Sequence, residues 1–437
     1  MEGLNIGIIG LGTVGSGCVE ILLKNKELVR AKAGGDIRIK KIADLDITRD
    51  RGLDLEGIPF VTEAMEIIQD KDIQVVVELI GGTTKAREYA IEAIKKGKHL
   101  VTANKALLAE TGSYLFDLAK ENNVFIGFEA SVAGGIPIIT AVKDGLCANF
   151  IRKLMAILNG TSNYILTQMQ RHNKTYEEVV NEAVRLGFAE DPPTLDVNGT
   201  DVSHKLIILL ALFYGKWFSM DQIYKEGIER ITPQDLIFAD EFGYKVKLLA
   251  IAKAQDEELE ARVHPVMIPK AHMLAGVDEA YNGIYIEGDF VGPTLFYGLG
   301  AGRRPTGSAV VSDLIAIARK VFAGQREFPY GLGSQPLNGK FKIKPIEEVS
   351  MPYYFRFQAQ DKPGVLSKIS GILAHHQISI ASVIQKGRVL HGSVPIVMLT
   401  HEAKESAVRK AIREIDKLDV VSDATVAIRV EGDAAEN

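Results

Sequence analysis

The 437-residue chain is 46% hydrophobic, carries a formal net charge of -5 and holds two cysteines. Its length allows about three domains with cores ample for an enzyme, and its Lys and Arg, interspersed with Asp and Glu, form no basic block for nucleic acid. Cys18 and Cys147 give neither a disulfide framework nor a metal-ligand spacing, and no apolar run approaches the ~20 residues that span a bilayer, so a reducing, cytoplasmic setting without membrane is expected.

The opening MEGLNIGIIG runs straight into a strand pattern, with no basic region or cleavage site before it. Short β-rich runs at 4–9, 37–43, 74–79, 99–102 and 124–128 alternate with helical stretches. That alternation predicts an α/β domain with a doubly wound parallel sheet over residues 1–130. Between the first strand and the first helix stands Gly10-Leu11-Gly12-Thr13-Val14-Gly15. Gly10 permits the tight turn, Gly12 lets backbone approach a pyrophosphate at the helix N-terminus, and Gly15 allows close helix-to-strand packing. A dinucleotide site is the reading, in its strand-to-helix setting; a purely structural turn is the alternative. Asp44, ending the second strand, can accept from a ribose 2′-hydroxyl, although it lies farther on than the usual ~20 residues. Arg49 and Arg51 can instead receive a 2′-phosphate, so both NAD and NADP stay open.

Lys105, in VTANKA at the C-terminal end of a strand, sits where open parallel sheets hold ligands, and can meet phosphate or a substrate carboxylate. FEASVAGGIPI at 128–138 joins the Glu129 carboxylate to a carbonyl-presenting turn, a donor type that hard cations favour; an ordinary Gly-Gly connection explains it as well. ILNGTSNY at 157–164 offers small polar groups to a carboxamide or polar substrate, or simply caps a helix.

Residues 131–304 read as a second, α+β domain. Within it, RLGFAEDPPTLDVNGTDVSHKLIILLALF at 185–213 begins a strongly apolar helix with Asp201 and Lys205 four positions apart on one face. Such a helix is buried, and buried charge is costly unless partnered. A structural ion pair is one reading; the loop before it, where Gly187-Phe188-Ala189-Glu190 leads into the rigid Asp191-Pro192-Pro193 and brings a second carboxylate toward the same helix opening, favours a site. A glycine-rich turn at 298–302, including Gly302, precedes a helix over 308–321 that is expected to return to the first domain. The Pro, Gly and Lys content of 326–352 is that of a linker. From 353 a β-α-β-β-α-β order predicts a ferredoxin-like module, with Asp361-Lys362-Pro363-Gly364-Val365-Leu366 joining strand to helix. Exposed amides there suit a small amino acid, or only a turn.

Taken together, the glycine loop, VTANKALLA, FEASVAGGIPII, ILNGTSNYIL, GFAEDPPTLDVNGTDVSHK and GAGRRPTGSAVVSD resemble homoserine dehydrogenase, in that family's order over roughly residues 5–320. The DKPGVL module resembles an ACT regulatory domain. Where relatives often read AEADPT and GPGAG, this chain has AEDPPT and GLGAG. The resemblance implies a Rossmann-type NAD(P)-binding domain (1–130, with 305–325 returning to it), a catalytic and dimerisation domain (131–304), a linker (326–352) and an ACT domain (353–431). It implies an oxidoreductase that reduces L-aspartate 4-semialdehyde to L-homoserine, reversibly, in threonine, methionine and isoleucine biosynthesis. Lys205 would handle the proton, and Glu190 and Asp201 would hold the substrate. Lys105 would contact cofactor or substrate, with Gly187 and Gly302 beside the glycine loop as cofactor residues. It further implies sodium on main-chain oxygens of Glu129, Val132, Gly134 and Ile136, threonine as effector at Asp361, Pro363, Gly364, Val365 and Leu366, and a homodimer or homotetramer. Two rivals stand beside it: an aspartate-semialdehyde oxidising dehydrogenase, which needs a thiolate, and a non-catalytic amino-acid sensor.

Overall fold

The Val- and Ile-rich runs of the first 130 residues form one parallel sheet whose strands are β1 (Leu4–Ile9), β2 (Ile37–Ala43), β3 (Phe60–Val61), β4 (Val75–Glu78), β5 (His99–Thr102) and β6 (Ile126–Gly127). Their order is β3-β2-β1-β4-β5-β6, with every neighbouring pair parallel. Strand order reverses between β1 and β4, and ligands of such sheets bind outside the strands' carboxyl ends at that reversal. Ile6, Ile8, Val75, Val77 and Val101 are fully buried, which is why β1, β4 and β5 read as largely apolar runs, while β2, with Arg38, Lys40 and Lys41, does not. The runs expected at 74–79 and 124–128 are shorter as strands, and β3 has too few residues to show a period.

The computed structural model describes residues 3–187, 192–325, 341–385 and 392–432. They fall into two compact units: Met1–Arg152 with Asp201–Asp221 and Ile286–Phe341, and Lys153–Thr200 with Gln222–Tyr285 and Lys342–Asn437. In the first unit the helix Arg303–Phe322 lies on the helix Thr13–Lys24. The contact is backbone to backbone, since a Cβ on Gly17 would come 1.8 Å from the Arg303 carbonyl oxygen and one on Gly307 2.6 Å from the Gly17 carbonyl carbon. This helix starts before the expected residue 308. Gly302, at φ +127, turns the chain into it, and Pro305 is tolerated because first-turn amides have no intrahelical partner.

The second unit is built on a sheet in which Ile151–Ile157, Tyr244–Gln255, Glu258–Pro269, Val426–Val430, Tyr353–Gln360, Ser393–Thr400 and Ile380–Gln385 follow one another. The last four strands, with helices Val365–His375 and Glu405–Ile415, give the β-α-β-β-α-β order around a core of Phe355, Phe357, Ile369, Leu373, Met398 and Ile415. Val426–Val430 pairs in parallel with Glu258–Pro269, through Val266 with Arg429 and Met267 with Val430. The module expected at 353–431 therefore continues the same sheet, and the sequence division at 326–352 needs correction. Of that stretch 326–340 lies outside the described residues. Lys342–Ile343 pairs with Glu258–Leu259, and Ser350–Met351 with Ala403–Lys404, so strand hydrogen bonds outweigh a linker-like composition. Charge pairs also hold the module: Arg356 Nε donates to Asp235 Oδ1 at 2.6 Å, and Arg429 donates to Glu405 at 2.6 and 2.8 Å and to Glu226 at 2.7 Å.

Candidate active site

The apolar helix Thr200–Tyr214 buries Val202 and Leu206–Ala211 almost completely, and its first two turns carry Asp201 and Lys205. Lys205 Nζ lies 2.7 Å from Asp201 Oδ2, with side-chain exposures of 11% and 8%. The other carboxylate oxygen, Oδ1, is 3.1 Å from Lys105 Nζ, whose side chain is 43% exposed. One buried carboxylate thus faces two ammonium groups, one enclosed and one open to solvent. Sequence spacing alone gave the first pair; the second joins residues from separate helices. Lys105 opens the helix Lys105–Glu121, whose N-cap Asn104 accepts from Leu107 N at 3.0 Å.

Gly12 caps the helix Thr13–Lys24 with no side-chain hydrogen bond, and an added Cβ there would meet nothing within 4 Å. Gly10, at φ +98, would bring a Cβ to 2.8 Å from the Leu79 carbonyl, and Gly15 one to 2.2 Å from the Gly10 carbonyl oxygen. The loop is a cradle open over Gly12, Thr13 and Val14, with first-turn amides at a helix N-terminus; such a site takes a pyrophosphate. Asp44 stands beside it, its Oδ2 accepting from Leu11 N at 2.6 Å. Arg51 is not free for a phosphate. Its Nε donates to Leu11 O, one Nη to Arg49 O and the other to Asp46 O, at 2.8, 2.8 and 2.6 Å. The guanidinium is instead a brace between the glycine loop and the loop after β2.

In the segment holding Glu129, Val132, Gly134 and Ile136, Ala133 (φ +54) and Gly134 (φ +42) are consecutive left-handed residues that reverse the chain. The Glu129 carboxylate is held by the residues that follow this segment. Its oxygens accept from Ile139 N, Thr140 N and Thr140 Oγ1, at 2.8, 2.8 and 2.5 Å, while burial raises its pKa. The Ile136 carbonyl already accepts from Ile138 N at 2.8 Å. Among the described residues no three His, Cys, Asp or Glu side chains are grouped to hold a metal ion.

In the second unit the NGTSN segment is structural where the sequence offered a polar substrate. Asn159 caps the helix Gly160–His172 and donates to Asp196 Oδ1 at 2.9 Å; Ser162 Oγ donates to Asp196 O at 2.6 Å. Asn163 Nδ2 donates to the carbonyls of Val277, Glu279 and Tyr281 at 3.0, 2.9 and 3.2 Å. Gly187, at φ +74, follows the helix Tyr176–Arg185, and Glu190 lies outside the described residues. At the C-terminal turn Asp361, Lys362, Pro363, Gly364 and Leu366 are exposed and Val365 is buried, with Gly364 (φ +89) admitting the chain to the helix.

Cys18 is no candidate for the thiolate that the oxidising rival needs. Cys18 is fully buried, its thiol pushed up to about 12 by desolvation, and Cys147 donates to Asp144 O at 3.3 Å. The sequence reading missed Gly17, which shows there only as a second helical glycine after Gly15, and Glu78, a carboxylate at the end of an apolar strand.

A family model described as homoserine dehydrogenase matches residues 137–315, its NAD-binding-domain model residues 10–129, and an ACT domain model residues 353–420. A homoserine dehydrogenase of Neisseria gonorrhoeae is 43% identical over 432 residues, 99% of either chain. The crystal structure of a homoserine dehydrogenase from Thiobacillus denitrificans is similar at a TM-score of 0.93 and 42% identity, over 99% of both chains. A hyperthermophilic archaeal homoserine dehydrogenase in complex with NADPH is similar at a TM-score of 0.62 and 26% identity, over 75% of this chain and 99% of that one.

Proposed function

Because this chain belongs to the homoserine dehydrogenase family, an oxidoreductase with an NAD-binding domain, we propose that Lys205, Asp201 and Lys105 carry its interconversion of L-aspartate 4-semialdehyde and L-homoserine. The observation behind this is the single buried carboxylate between two ammonium groups. When bound, NADPH or NADH would supply the hydride for the aldehyde carbon, and the protein would have to meet the negative charge on the aldehyde oxygen. Lys205 Nζ gives its proton to that oxygen in reduction and takes it from the hydroxyl in the reverse direction. Asp201 keeps that ammonium charged and aimed. Lys105, more open, meets the substrate or the nicotinamide side of the cofactor, and Glu190 pairs with the substrate's own ammonium. The test is steady-state oxidation of homoserine with NADP and with NAD by the intact chain and by Lys205 and Lys105 variants. Undiminished turnover without Lys205 would overturn the assignment.

The cofactor would lie over Gly10, Gly12, Thr13, Val14 and Gly15, with Asp44 at the ribose; Gly187 and Gly302 stay cofactor residues on the strength of the family resemblance. The open face of Gly12 and the uncapped helix support this. Functional domains are read as 1–130 with 305–325 for cofactor, 131–304 for catalysis and dimerisation, and 353–431 for regulation. A sodium ion on the carbonyls of Glu129, Val132, Gly134 and Ile136 would steady that turn; equal melting temperatures in sodium and in tetramethylammonium chloride would refute it. L-threonine is the proposed effector at 361–366, supported by the exposed turn, and a rate indifferent to saturating threonine would remove it. Exposed Phe290, Val291, Leu295, Tyr297 and Leu299 support self-association as a homodimer or homotetramer, which light scattering measures. No helix among the described residues is long and apolar enough to cross a membrane, and we place the enzyme in the cytoplasm, in threonine, methionine and isoleucine biosynthesis.

A further inference from the structure

β4 and β5 end side by side, and their last residues, Glu78 and Thr102, are register partners. Both are fully buried. An acid at the end of two core strands is expensive unless its oxygens are engaged, and these oxygens are. Thr102 Oγ1 donates to Glu78 Oε2 at 2.6 Å, and Ile80 N donates to Glu78 Oε1 at 2.9 Å. The Thr102 hydroxyl in turn accepts from Asn104 N at 3.0 Å. Asn104 Nδ2 closes the circuit on the loop after β4, donating to Gly82 O at 2.6 Å, while its Oδ1 caps the helix that Lys105 begins. The circuit therefore runs from the acid through one hydroxyl and one amide to the residue before Lys105, whose ammonium faces Asp201 at 3.1 Å. Two apolar residues at the strand ends would keep the core without fixing that start.

We infer that Glu78 and Thr102 are positioning residues for the reaction, acting through Asn104 to fix the start of the Lys105 helix and hence the Lys105 ammonium against Asp201. The inference rests on the role given to Lys105 above. Neither residue touches substrate in this account; the hydroxyl orients the Asn104 amide, and the carboxylate orients the hydroxyl. Register alone brings the pair together, so no spacing in the sequence announces it.

Thr102→Val keeps the shape of the side chain and removes its hydroxyl; Thr102→Ser keeps the hydroxyl. Expected is a fall of about tenfold in kcat/KM for homoserine in Thr102→Val, from a buried acceptor left unpaired and a loosened helix start, with Thr102→Ser within about twofold of the parent. The deciding measurement is the cycle with Lys105→Met. If Thr102 acts through Lys105, the Thr102→Val loss shrinks to under about twofold in the Lys105→Met background, whatever happens to the melting temperature. An undiminished tenfold loss there, or no loss from Thr102→Val while Lys105→Met is impaired, overturns the inference and leaves the role of Lys105 standing. Full activity of Lys105→Met would instead remove that role and this inference with it. Should Thr102→Val fail to fold, Thr102→Ala, which also removes the hydroxyl, takes its place in the same cycle, with the same expected results.

Discussion

Replacing Lys205 with Met separates chemistry from folding. The side chain is 11% exposed and sits 2.7 Å from an Asp201 carboxylate that is itself 8% exposed. Removing one partner of a buried pair costs about 3–5 kcal/mol. Here the lower end applies, because Asp201 keeps Lys105 at 3.1 Å, and that lysine is 43% exposed and well hydrated. Against an ordinary domain stability of about 5–15 kcal/mol, a loss of about 3 kcal/mol leaves at least ~2 kcal/mol, so folded molecules still outnumber unfolded ones about thirtyfold. Unfolding therefore removes only a few per cent of the activity. Loss of a proton donor to the developing oxyanion removes about 10²–10⁴-fold. The assay is NADPH formation at saturating homoserine, with NADPH affinity taken separately from quenching of its fluorescence. Expected is a fall in kcat of at least about a hundredfold, with cofactor affinity within about twofold of the parent. Turnover within threefold of the parent refutes the role of Lys205; equal loss of turnover and cofactor affinity points instead to a damaged fold.

Asp44→Ala removes the carboxylate that brackets Leu11 N and is expected to shift kcat/KM from NAD toward NADP by about tenfold, since a carboxylate accepts from a ribose hydroxyl and repels a phosphate; an unchanged ratio places the ribose elsewhere. Gly17→Ala forces a Cβ to 1.8 Å from the Arg303 carbonyl oxygen, so a destabilisation of about 1–3 kcal/mol or more is expected from overpacking, and an unshifted urea midpoint contradicts that helix contact. His99 accepts from Phe125 N at 2.9 Å, and burial holds its imidazole down to about 4. Because its folded pKa lies below the ordinary histidine value, the unfolded chain binds the extra proton. Its stabilisation is complete above about pH 6.5 and is lost as pH falls toward 4, at up to ~1.4 kcal/mol per unit. His99→Gln should flatten that part of the stability profile; an identical slope in both proteins counts against the imidazole.

Much of this was legible in the sequence because the relevant signals are local. Short β-rich runs mark β1, β2 and β5 to the residue, the glycine loop announces its strand and helix, and Asp201 and Lys205 share a helix face by spacing alone. What escaped depends on pairings between distant segments. Nothing in VTANK indicates that Thr102 stands opposite Glu78, and nothing near Arg51 shows that its guanidinium is held by Leu11, Asp46 and Arg49 carbonyls. Composition misled at 341–352, where one short strand joins the large sheet and another pairs in a two-stranded sheet, each with a partner far off in the chain. The polar residues of NGTSN look like ligand donors in one dimension and are helix caps and loop braces in three.

The parallel seam between Glu258–Pro269 and Val426–Val430 has a consequence for recombination. A cassette cut at residue 353 would carry away the strand that covers this edge, along with Arg356 and Arg429, and leave Asp235 and Glu226 without those cations. Functional chimeras should therefore inherit 222–285 and 342–432 from a single parent. Drift in either stretch is then constrained by the other, so the two halves of the seam are expected to coevolve as one heritable block.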